Sequence, residues 1–153
     1  MPDDVFQFER AEDSPGFSLW QVSSLWQRRI NAGLRPFNLT HAQFVLLASL
    51  MWLADNETPL TQAQLASHAQ MDTMMTSNVL RTLEAKGLLT RDAHPTDMRA
   101  KSLTITDAGR ALAAETVRVV ETIDREFFDK LGANVQRFNQ DLQALIAENR
   151  DAA

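Results

Sequence analysis

The chain has 153 residues, 44% of them hydrophobic and 23% charged, with a net charge of −5; that suits one ordinary soluble unit with a real core and does not indicate intrinsic disorder. Cysteine is absent, so disulfides, thiolate metal sites and thiol-based redox sensing are excluded, and a reducing cytoplasm is the expected location. No membrane segment is expected: the longest apolar run, Phe44 to Ala54, is broken by Ser49 and too short to span a bilayer, and the acidic start MPDDVFQFERAEDSPG is no secretory signal.

Pro2, Pro15 and Gly16 bracket an irregular N-terminal arm carrying Val5, Phe6 and Phe8. Its apolar residues either dock on another surface or belong to a frayed tail. From Phe17 to about Ala32, the residues Leu19, Val22, Trp26 and Ile30 recur at helical spacing, and Gly33 and Pro36 are expected to end this helix. Trp20 lies off the stripe, so it faces another helix, a ligand or a second subunit.

The next helix has a strong start signal. Thr40 and Gln43 have the spacing of a capping box, with Leu39 and Phe44 as its hydrophobic staple. Val45, Leu46, Leu47, Leu50, Met51 and Leu53 leave almost no polar face, as in a central buried helix. A loop through Asp55, Asn56 and Pro59 follows. The start signal then repeats as Thr61 and Gln64, flanked by Leu60 and Leu65, for a short helix ending near His68. Asp72 is placed to cap the following helix, which runs to Lys86 and stops at Gly87. Val79, Leu80 and Leu83, with Met75 one turn earlier, form its expected inward stripe.

After Gly87 the pattern alternates. Leu88 to Asp92 and Ser102 to Thr106 are predicted strands around the loop from Ala93 to Met98. Thr106 caps a long helix, 107–131, with a stripe from Leu112 through Val119, Val120, Ile123 and Phe127 to Leu131. Gly132 breaks it, and a last helix presents Val135, Phe138, Leu142, Leu145 and Ile146 on one face. So long a helix cannot bury its stripe on so small a hairpin unit, and the terminal helices are expected to form a homodimer.

Two short helices followed by a charged hairpin are the signature of a winged helix-turn-helix, which reads double-stranded DNA. The fold class is therefore mainly α with a small β-hairpin wing. The expected organisation is one domain, with residues 61–106 as DNA-binding lobe and 17–60 and 107–150 as dimerisation scaffold. Charge agrees modestly: residues 1–60 carry four basic and seven acidic side chains, residues 111–153 five and eight, and residues 61–110 six and five. On the 72–86 helix the side opposite the stripe presents Thr73, Ser77, Asn78 and Arg81, a row of donors and acceptors suited to base edges and phosphates. Such a face alone is more often merely solvated; the capped helix before it and the hairpin after it reverse that balance. Thr61, Gln62 and Thr76 complete the helix-turn-helix candidates. In the hairpin loop Asp97 can orient Arg99 for a narrow minor groove, with Lys101 as a phosphate contact; the bland alternative is a surface ion pair.

GLLTR at 87–91, D-x-R-A-K-x-L-x-I-T from Asp97 to Thr106, and Gly109 resemble the multiple-antibiotic-resistance regulator (MarR) family, as do Leu39-Thr40, Gln43-Phe44 and Leu47. The resemblance spans Phe17 to Ile146. It implies a dimeric DNA-binding regulator in which Ser77, Asn78 and Arg81 meet bases and phosphates and Arg99 is the wing-tip arginine. Asn78 stands where the family often has Arg, and Met74 and Met75 begin the helix. The resemblance also implies a ligand site beneath the dimer helices, with Trp20, Trp26, Phe44 and Arg29 or Arg28 as candidates for a small aromatic carboxylate or phenol. For Trp26 and Phe44 a place in the core is the better expectation. No cofactor or metal is expected: His41, His68 and His94 lack metal-ligand spacing. Nor is an enzyme, since no phosphate loop or nucleophile–histidine pairing can be read. The alternative function is a winged-helix protein-interaction module that binds no DNA.

Overall fold

The structure, a computed structural model, describes residues 4–54, 59–93 and 101–150. Helix α1 spans Pro15–Leu34, α2 His41–Leu53, α3 Gln62–Ala69, α4 Thr73–Ala85, α5 Asp107–Phe128 and α6 Val135–Asn149. Strands β1 (Leu60–Thr61), β2 (Leu89–Ala93) and β3 (Lys101–Ile105) form an antiparallel sheet in the order β1-β3-β2. Leu60 lies opposite Leu103, and Leu89 opposite Ile105. Two strands were expected; β1 is the addition. A two-residue strand has no alternation to read, and its Thr61 also carries the α3 cap.

Helix α2 is the centre, packing on α1, α3, α4, α5 and β3. Phe44, Leu46, Leu47 and Leu50 are buried on it, as its apolar sequence predicts. Both capping boxes are formed. Thr40 Oγ1 accepts from the Gln43 N–H at 3.1 Å while Gln43 Oε1 accepts from the Thr40 N–H at 3.2 Å. The equivalent Thr61–Gln64 bonds are 3.2 and 2.9 Å. One buried cluster joins Ile30 and Leu34 of α1, the α2 residues, Leu65, Leu80, Leu83, the sheet residues Leu89, Leu103 and Ile105, and Ala113 and Val120 of α5. It locks the helix-turn-helix to the scaffold.

Gly33 does not end α1, which continues to Leu34 before a 3₁₀ turn at Arg35–Phe37. It lies inside the helix because α5 approaches closely there: a Cβ on Gly33 would sit 2.4 Å from Ile123 Cδ1. The long helix likewise ends at Phe128, three residues before the expected end, and passes into a 3₁₀ segment, Asp129–Asn134, in which Gly132 has φ of 59°.

Helix α6 is amphipathic yet has no buried residue, and its close packing is against the 3₁₀ segment before it. Phe138 reaches Phe128, with ring centroids 5.9 Å apart. Leu145 and Ile146, like Leu19 and Trp20 at the start of α1, are exposed. Apolar side chains thus stand open on both terminal helices.

Candidate nucleic-acid interface

Helix α4 is held by its ends. Asp72 caps it, its Oδ1 accepting the Met75 N–H at 2.7 Å. The turn before it closes where Gln70 adopts φ of 53° and the Met71 N–H donates to Ala66 O at 3.0 Å. At the far end Gly87, with φ of 76°, donates to Glu84 O at 2.9 Å and Leu88 donates to Leu83 O at 3.0 Å, closing a Schellman turn. The Lys86 ammonium reaches back to Asn38 O and, at 3.1 Å, to Gln43 Oε1 at the head of α2. The reading helix is thereby fixed to the central helix through its last turn.

The solvent side of α4 carries Thr73, Asn78 and Arg81, with Ser77 half-buried beside them. Arg81 Nη2 donates to Ser77 Oγ at 3.3 Å, so the serine steadies the guanidinium one turn away. Thr82 Oγ1 donates back to the Asn78 carbonyl at 3.2 Å, leaving the Asn78 amide free of that bond. Met74 is 78% exposed at the head of the same face, an apolar surface of the kind that meets thymine methyl groups.

Thr76 must be removed from the contact set. Its side chain is 0% exposed, and its Oγ1 donates to the Asp72 carbonyl at 2.8 Å. The inward stripe runs through Thr76, Leu80 and Leu83, one residue out of register with the expected start at Met75, which is exposed. A threonine that satisfies its hydroxyl on the preceding turn can occupy an apolar position, and apolar periodicity alone cannot see it.

Thr61 and Gln62 are half-buried at the head of α3, and Thr61 is occupied by its cap. Lys101 opens β3 and is exposed. Asp97, Arg99 and His94 lie outside the described residues. What is described is the wing's base. Arg91 of β2 donates to Glu84 of α4 from its backbone N–H at 3.2 Å, from Nε at 3.3 Å and from Nη2 at 3.1 Å. The Arg91 guanidinium beside Glu84 holds that carboxyl below its ordinary range, against some loss of hydration. On the other side, Thr106 Oγ1 donates to Gly87 O at 2.8 Å and accepts from the Gly109 N–H at 3.0 Å. The hairpin is thus hung between the end of α4 and the start of α5.

The four ligand-site candidates do not converge on one cavity. Phe44 is buried in the core. Trp26 packs on the core's edge, where its Nε1 donates to Asp124 Oδ1 at 2.8 Å and its ring meets His41 edge-on at 4.9 Å. Trp20 is 71% exposed on α1. Arg29 lies over the Phe127 ring at 5.7 Å and borders a cavity of about 560 Å³ walled by α1, the end of α5 and the start of α6, not by the other three. Spacing in sequence placed all four near the same helices but could not say which side of each helix they occupy.

Among the described residues, no group of three or more His, Asp or Glu side chains is arranged to hold a metal ion, and no helix is long and apolar enough to cross a membrane.

The chain matches the family model for the MarR family over residues 39–101. It is 39% identical over 140 residues to the uncharacterized HTH-type transcriptional regulator YdcH of Bacillus subtilis, covering 92% of this chain and 95% of that protein. It is 35% identical over 129 residues to the HTH-type transcriptional repressor Mb2911 of Mycobacterium bovis, covering 83% of this chain and 89% of that one. Its fold is similar to that of S. aureus MepR in a DNA complex, with a TM-score of 0.80 at 21% identity over 88% of this chain and 98% of the other.

Proposed function

This chain belongs to the MarR family of winged helix-turn-helix transcriptional regulators, and we propose that it acts as a cytoplasmic homodimeric repressor, without enzymatic activity, on a near-palindromic operator. The observation that carries this reading is the division of α4. Thr76, Leu80 and Leu83 are buried, while Thr73, Met74, Asn78 and Arg81 stand in solvent on a helix anchored at both ends. A dimer presents two such helices to successive major grooves, with half-sites about 10 bp apart. Phosphate contact falls to a few placed cations, Arg81 and Lys101 among them, because the chain as a whole carries −5. Dimerisation through the open faces of α1 and α6 supplies the second copy.

The test is a titration of the protein against DNA fragments from around its own coding region at several salt concentrations. Saturable binding whose affinity falls steeply with salt is the expected result, since neutralised phosphates release counterions. A dimer that binds none of these fragments more tightly than unrelated DNA would favour the protein-interaction alternative. Mapping bound fragments against the start of transcription separates repression from activation.

A further inference from the structure

We propose that the N-terminal arm of one copy docks, through Phe6 and Phe8, into the cavity between α1 and the α5–α6 junction of a second copy. The proposal rests on the homodimer above and adds to it an exchange of arms.

The arm is poorly satisfied on its own chain. Val5 is 84% and Phe6 70% exposed. The arm turns back beside Ser14 and Phe17 and leaves an open apolar cup of about 470 Å³ around Phe6 and Phe8. That cup shares no residue with the cavity beside Arg29. Clustered phenyl rings left in water mark a segment that binds elsewhere.

The cavity fits that segment in both shape and charge. Its floor is apolar and aromatic, made by Val22 and Leu25 of α1 with Phe127, Phe128 and Phe138. Arg28, Arg29 and Lys130 border it, and no carboxylate is in its lining. The arm offers the complement: Asp4 and Glu9 flank Val5, Phe6 and Phe8, with no cation between them. Its one cation, Arg10, is paired with Glu12. Phenyl groups between carboxylates thus match a phenyl-lined hollow ringed by cations. The hollow is lined in part by α1 and α6, the two helices whose open stripe is proposed as the dimer interface. Two-fold symmetry then makes the exchange reciprocal, each copy giving an arm and receiving one.

The absence of cysteine allows a direct test on the full chain. A tagged chain carrying Phe8→Cys is mixed with an untagged chain carrying Leu131→Cys and oxidised with diamide. Both positions are partly exposed, so neither substitution should prevent folding. The expected product is a mixed disulfide on a non-reducing gel, weakened when Arg28 and Arg29 of the receiving chain are both changed to Glu. No cross-link in a sample that sediments as a dimer overturns the arm exchange and leaves the dimer standing. A monomer by sedimentation overturns both. An internal disulfide in one chain carrying both substitutions, with none between chains, assigns the cavity to the chain's own arm. If instead benzoate shields the thiol at position 131 from a maleimide while no cross-link forms, the cavity belongs to small aromatic anions and the proposal fails.

Discussion

The carboxylate of Glu84 takes three N–H groups from one residue, Arg91, and so joins the last turn of α4 to the first described strand of the wing. The two partners are only seven residues apart, yet they belong to elements that must be set at a fixed angle if helix and wing are to enter neighbouring grooves. Arg91 is a cation of the kind that usually meets phosphate; here it is occupied by the protein itself. Glu84→Ala should therefore weaken operator binding while leaving the dimer intact. The carboxyl is held below its ordinary range, so this contribution is present above the unfolded pKa and fades as pH falls through the folded one. Operator affinity in the parent should decline toward acid more steeply than in Glu84→Gln. Equal profiles would show that the pair does not position the wing.

The glycine that accompanies the wing motif has a steric reason. A Cβ on Gly109 would lie 2.0 Å from the backbone oxygen of Leu88, which cannot move without disturbing the strand. Gly109→Ala should cost about 1–3 kcal/mol as overpacking, read from urea unfolding. Gly33 is the control. Its added Cβ would clash with the terminal Cδ1 of Ile123, which can rotate, while Val119 Cγ1 at 3.4 Å is in ordinary contact, and alanine brings back roughly 1 kcal/mol of helix propensity. Gly33→Ala should be close to neutral, and nearly all of any loss should be recovered by adding Ile123→Val. A neutral Gly109→Ala would mean that the start of α5 can shift away from the 87–88 turn.

Much of this architecture can be read from residues alone because its signals are local. The capping boxes at Thr40 and Thr61, the Asp72 cap and the Gly87 stop each involve residues at most five apart, and each forms as its spacing predicts. What escaped reading depends on distance. Gly33 looks like a helix end until Ile123 is brought against it from ninety residues away. Thr76 looks like a polar surface residue until its hydroxyl is seen bonded to Asp72 O. Trp26 and Phe44 resemble ligand walls in composition, and only the packing of α1, α2 and α5 shows them committed to one another's neighbours.

His41 sits at the head of α2 within the scaffold, half-buried beside Trp26 of α1 and Asp124 of α5. Burial lowers its pKa from the usual 6.5, partly countered by the Asp124 carboxylate. The unfolded chain therefore takes up a proton more readily than the folded one. Stability should be undiminished above about pH 6.5 and should fall as pH drops from there toward the folded pKa, below which this loss is complete. Urea midpoints measured from pH 8 to pH 5 should show this slope in the parent and a flatter one in His41→Gln. A parent and variant with parallel curves would remove His41 from the linkage.

The open stripe on α6 gives a test of the dimer that does not endanger the fold of each chain. Leu145 is 59% exposed and is not part of the buried cluster. Leu145→Glu should leave the circular-dichroism spectrum of a single chain unchanged. It should shift sedimentation toward monomer and remove operator binding through the loss of paired half-sites. An unaltered dimer would show that Leu145 lies outside the interface.

Asn78 and Arg81 should separate base reading from phosphate anchoring on one helix face. Asn78 has no side-chain bond that fixes its amide among those described, so the group is available to an adenine edge, to which asparagine presents both a donor and an acceptor. Asn78→Ala should lower discrimination at one position of each half-site by about 1–3 kcal/mol, measured by competition with operators changed base by base. Arg81, steadied by Ser77, is placed for a phosphate or a guanine. If it meets phosphate, Arg81→Ala should weaken all sequences alike and reduce the salt slope by about one for each half-site. If it meets guanine, the loss should instead be confined to operators carrying that base. Ser77→Ala, which frees the guanidinium without removing it, should then give a smaller loss of the same kind, and an unchanged affinity would show that the 3.3 Å contact does not orient Arg81 for DNA.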